Sequence, residues 1–143
     1  MRNINAMTAI TTRPVRGTRS DDSLLRFALR ADATLCAGLG LLIAMAADPL
    51  SKLSGLSPTS EWISGAALVA YGAALYLLAG LPDVRRVGVG VLAGNIAFAL
   101  VVTVVLVAGW LPLTALGVVS TITFTAVTLG FAYVQYLGVR RLV

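Results

Sequence analysis

Hydrophobic positions along this chain fall in long blocks, without the alternation of strands or the 3.6-residue rhythm of helices half in water. From residue 24 onward, apolar runs of 20 or more residues are separated by short breaks carrying proline, glycine or charge. A helix rises about 1.5 Å per residue, so about 20 residues match a ~30 Å hydrocarbon core. Four runs qualify, at about 24–47, 62–81, 87–111 and 113–138. The pattern predicts an all-α fold, a four-helix transmembrane bundle over residues 21–143, behind a tail at 1–20.

The breaks predict where the helices start and stop. Ser20-Asp21-Asp22-Ser23 offers a cap, and its acids suit the positive end of a helix dipole. Asp22, Arg26 and Arg30 follow at i, i+4 spacing on one face. Pro49 is expected to stop the first helix at Asp48-Pro49. Leu50, Leu53 and Leu56 then recur at one-turn spacing, the pattern of a small interfacial helix. Ser57-Pro58 is a good cap and first-turn pair for the second span, and Pro82–Arg86 is a tight basic turn before the third. Ala44-Met45-Ala46 also fits the small-x-small pattern of signal cleavage, but the apolar segment before it exceeds a usual signal core. The run is read as a retained span.

Composition agrees with this reading: 143 residues, 58% hydrophobic and 12% charged, with a mean hydropathy of +0.90. A soluble domain would carry about twice that charge. The net charge of +5 reports orientation more than a polyanionic partner, because the arginines flank apolar runs and form no basic face interleaved with aromatics. Of eleven Lys and Arg, all but Lys52 lie in the tail, at the start of the first span, in the second break or at the C-terminus. The positive-inside rule then predicts an N-in, C-in topology. The Ala/Val/Gly/Leu-rich body suits a bacterial cytoplasmic membrane, although an arginine-rich, acid-free start is also found in organelle transit peptides. Arg2, Arg13, Arg16 and Arg19 of the tail are read as setting orientation, with contact to anionic lipid as the alternative.

Candidate chemistry is sparse. The chain has no histidine, which removes His-ligated haem, the usual zinc sites and His-based nucleophilic pairs. No Gly-rich phosphate loop follows a strand, so no metal, cofactor or catalytic activity is expected. Cys36, the single cysteine, is read as a buried, inert thiol.

Depth singles out one group of residues. Asp32 lies eight residues in from Leu24, and Asn95 eight residues in from Val87. Gln135 comes five before Arg140, and Tyr76 five before Leu81. Each span thus contributes a polar group to one layer in the cytoplasmic half. Asp32, Asn95, Gln135 and one of Tyr71 or Tyr76 are expected to meet there, with Arg30 or Arg26 near the mouth. Such a layer is either a clasp between helices or a ligand site, because a carboxylate inside a membrane marks function by default. Thr114, Thr121, Thr125 and Thr128 share a face of the last span with Gln135, and are read as packing or as the wall of a polar cleft. Gly90-x-x-x-Gly94, like Gly40 and Ala44, is read as a close approach between helices of the bundle.

Leu29-Arg30-Ala31-Asp32-Ala33, Ala93-Gly94-Asn95 and Gln135 before Arg140-Arg141 resemble a group of small four-span membrane proteins common in actinobacteria, whose architecture is similar to that of DoxX-type proteins. The resemblance implies fold and membrane location over residues 24–141, and no activity. The expected function is that of a small non-catalytic membrane protein. It would be an accessory subunit of a larger complex, or a binder of lipid or of a hydrophobic small molecule, surrounded by membrane lipids and able to self-associate. A small proton-coupled transporter using Asp32 is the alternative.

Overall fold

A computed structural model describes residues 22–142. The tail at 1–20 lies outside them. Among the described residues the elements are α1 (Ser23–Met45), the short α2 (Ala47–Ser54), α3 (Pro58–Leu78), α4 (Val84–Ala108) and α5 (Ala115–Arg140), with no strand. All except α2 are long and apolar enough to cross a membrane. The molecule is a four-helix transmembrane bundle.

The helix ends follow from local chemistry. Ser57 Oγ accepts from Ser60 N at 3.1 Å and caps α3, with Pro58 in its first turn. Thr114 Oγ1 caps α5 by accepting from Gly117 N. The α1–α2 break comes at Ala46, upstream of the expected Asp48-Pro49. A proline ring clashes with the carbonyl four residues earlier, here that of Met45, while its missing N–H is harmless in a first turn. Pro49 therefore sits inside the start of α2 and ends α1 from a distance. Gly55 terminates α2 at φ +89°, a conformation that a side chain resists.

α1 is the hub. It packs along α3 and against α5, while α4 packs along α5. Leu25, Leu29 and Ala33 of α1 join Leu75, Ala79 and Val84 in a buried cluster at the basic end. The α1–α3 crossing is made by backbone meeting backbone. A Cβ added to Gly40 would lie 2.6 Å from the Gly65 carbonyl oxygen, and one added to Gly65 would lie 2.5 Å from Ala44 N. The reading of Gly40 and Ala44 as a close-approach surface agrees with this geometry. Gly90 and Gly94 differ: nothing lies within 4 Å of where their Cβ would be, so they face away from the bundle. Outside water, lipid is as apolar as a helix neighbour, and a small-residue motif does not by itself reveal which one it meets.

Two polar ties fix the ends. Arg26 donates to Asp22 at 2.8 Å and to the Ala79 and Leu81 carbonyls at 2.8 and 3.0 Å, fastening the start of α1 to the end of α3. At the opposite end, Thr114 N donates to Ser54 O at 2.8 Å and Thr114 Oγ1 donates to Leu53 O, seating α2 on the start of α5.

Candidate functional site

Four helices meet in a chain of side-chain hydrogen bonds. Asp32 of α1 accepts from Gln135 Nε2 of α5 at 2.9 Å on one carboxylate oxygen, and from Cys36 Sγ at 3.4 Å on the other. Gln135 Oε1 accepts from Asn95 Nδ2 of α4 at 3.1 Å. Asn95 Oδ1 accepts from the Tyr71 hydroxyl of α3 at 3.3 Å. Asp32, Gln135 and Asn95 are 4%, 0% and 6% exposed, whereas Tyr71 is 40% exposed. The chain thus runs from the bundle surface to an enclosed carboxylate.

Backbone packing sets the depth of this layer. A Cβ on Gly88 or Gly138 would press on Leu25, so α1, α4 and α5 are in register at that level. Asp32 and Asn95 each lie seven residues further on, about 10 Å along their helices, and therefore come level with each other. Each buried polar group then finds a partner. Among the described residues no enclosed side-chain nitrogen or oxygen lacks a hydrogen bond.

The charge balance is uneven. Among the described residues the ion pairs are Asp22–Arg26 and Asp83–Arg86, and neither includes Asp32. Its hydrogen-bond donors, Gln135 and Cys36, are both neutral.

The structure thus brings together Asp32, Asn95, Gln135 and Tyr71. Arg30 and Tyr76 stand apart, the guanidinium lying over the Tyr76 ring 5.7 Å from its centroid on an exposed face. Two residues along a helix turn the side chain by about 200°, so Asp32 pointing inward directs Arg30 outward. Arg26 is taken up by Asp22 and the end of α3. The threonine face of α5 is spent on its own helix: Thr121, Thr125 and Thr128 donate to the carbonyls of Gly117, Thr121 and Phe124.

Two buried contacts were not expected from the sequence, one within the cluster and one remote from it. Cys36 belongs to the cluster, and its signal was the i+4 spacing from Asp32. Glu61, 7% exposed in the first turn of α3, accepts from Ser54 Oγ. Its position after Ser57-Pro58 marks a favourable helix-dipole site, but its burial depends on α2 folding back over it. An open depression of about 370 Å³ lies at that same end, lined by Met45, Asp48, Thr59 and Trp62 among others, remote from the Asp32 cluster.

Fold and cluster together define a class, the multi-pass helical membrane proteins with a polar layer inside the bundle. The chain matches no protein-family model, no curated protein and no solved structure.

Proposed function

We propose that this is a small, non-catalytic protein of the bacterial cytoplasmic membrane that binds an amphipathic, lipid-soluble small molecule. The molecule's polar head engages the Tyr71–Asn95–Gln135–Asp32 chain and its apolar body remains among lipid and helix side chains. One observation carries the reading: a carboxylate enclosed by four spans and hydrogen-bonded only by neutral groups. A carboxylate inside a membrane span costs up to about 3 kcal/mol, most at the centre and less towards the surface, and a neutral amide would clasp the helices without that cost. An acid enclosed in a membrane bundle is by default a candidate site. Both termini are assigned to the cytoplasm, because ten of the eleven basic residues lie in the tail, at the α1 start, in the α3–α4 turn or at the end of the chain.

The test is extraction of the protein from its membranes directly into lipid discs, followed by mass spectrometry of the bound small molecules. The wild type should retain an amphiphile that Asp32→Asn loses severalfold. Identical profiles for the two would contradict the proposal.

Proton-coupled transport is the second reading, favoured by the hydrogen-bonded chain that links the partly exposed residue Tyr71 to the buried Asp32. Under that reading, liposomes should show substrate-driven proton flux that disappears in Asp32→Asn.

A further inference from the structure

We infer that the head group bound at this cluster is a hydrogen-bond donor, an ammonium or a hydroxyl, and that it enters from the lipid between α3 and α4 by replacing the Tyr71 hydroxyl. The inference rests on the binding role proposed above and specifies its ligand class and route.

The ligand class follows from the polarity of the chain. Both Asp32 oxygens act as acceptors, and Gln135 turns its amide nitrogen towards one of them. Its oxygen then faces Asn95, which must present its own nitrogen in turn. Asn95 Oδ1 is left facing Tyr71, and only a donor satisfies it. Each amide orientation follows from the one before it, starting from the accepting oxygen of Asp32. When the phenol leaves, the vacated position is an acceptor at the end of a chain that leads to a carboxyl group with no ion-pair partner among the described residues. A protonated amine suits both features, an alcohol suits the first, and an acceptor-only head such as a ketone suits neither.

The route follows from the packing. α3 is anchored to α1, where a Cβ on Gly72 would lie 2.5 Å from Ala33 O, and α4 lies along α5. No extended backbone packing joins α3 to α4. The Tyr71–Asn95 bond across this boundary is the longest of the three oxygen and nitrogen links, at 3.3 Å against 3.1 and 2.9 Å. Its donor is also the most exposed member of the chain. A rotation of one side chain therefore opens the cluster to lipid, while the glycine-mediated α1–α3 contact stays closed.

The experiment uses the full chain in lipid discs with 13Cζ-labelled tyrosine. The chain has four tyrosines, and the Tyr71 resonance is the one lost in Tyr71→Phe. The probes are dodecylamine, dodecanol and dodecyltrimethylammonium; the first and last share chain length and charge but only the first has an N–H. Dodecylamine should move the Tyr71 resonance at a bilayer mole fraction about tenfold below that of the quaternary probe, the penalty expected for leaving a buried acceptor unpaired. Dodecanol should move the resonance as well. In Asp32→Asn the polarity is no longer forced, and the amine preference should shrink to within about twofold. Equal potency of the two cations in the wild type overturns the donor requirement while leaving the binding role intact. Failure of every probe to move Tyr71 overturns both ligand class and route, and co-purification of an amphiphile then decides the binding role independently.

Discussion

Gln135 is the residue on which the polar layer turns, because it alone touches both the carboxylate on α1 and the amide on α4. Gln135→Leu leaves Asp32 with one donor fewer and Asn95 Nδ2 with none, inside a fully enclosed site. The expected loss is about 1–3 kcal/mol of stability, read as a lowered thermal midpoint in mild detergent. Tyr71→Phe removes the last link at the exposed end. It should cost only about 0.6 kcal/mol, the average worth of a hydrogen bond between membrane helices. If the two variants lowered stability equally, the enclosed part of the chain would hold no special position. Cys36 shows how a residue can be read correctly in part: its burial was evident from the apolar run, but its bond to Asp32 Oδ1 depends on how α1 is rotated.

At the scale of elements, the α1–α3 pair is held by the absence of side chains, and the outer glycines of α4 provide the internal control. Gly65→Leu forces side-chain atoms into the backbone around Gly40 and Ala44 and should cost about 3 kcal/mol or more. Gly94→Leu meets nothing within the bundle, so the monomer's thermal midpoint should stay close to wild type or rise, since leucine favours helix over glycine by somewhat under 1 kcal/mol. Equal damage from both substitutions would mean that α4 has a tight neighbour beyond its own chain. At the other end of the bundle, Gly117 faces the Ser54 carbonyl oxygen so closely that no Cβ fits, and α2 is seated there by Thr114. Gly117→Ala should accordingly loosen α2, detected as faster amide hydrogen exchange over Ala47–Ser54 with the core of α1 unaffected.

For the molecule as a whole, the decisive expectation is orientation. In a Cys36→Ser background, Lys52→Cys and Leu81→Cys place single thiols at exposed positions on opposite ends of the bundle. A membrane-impermeant maleimide added to intact cells should label the first and spare the second until the cells are broken. The reverse pattern would place the basic end outside, contrary to the charge distribution. The bundle is also lopsided: α4 and α5 have far less of their surface buried than α1. Lipid covers such faces at no cost, so a four-span chain is stable with a central hub and no closed ring of helices.

The helical, membrane-spanning class and the presence of four spans were legible in the sequence, because run length and hydropathy report directly on the thickness of a bilayer. The level of the polar layer was legible too, since about 1.5 Å per residue converts sequence position into depth. Helix rotation was not. In water, an apolar stripe shows which way a helix faces, but here lipid and protein interior are equally apolar, and the signal vanishes. That is why sequence left Tyr71 and Tyr76 as equal candidates, placed Arg30 at the mouth, and turned Gly90 and Gly94 inward. Tertiary structure decided these through contacts that are strong in a membrane: glycine backbones meeting at Gly40 and Gly65, and amides pairing around one carboxylate. Sequence determined how deep each polar group lies, and packing decided which of them face one another.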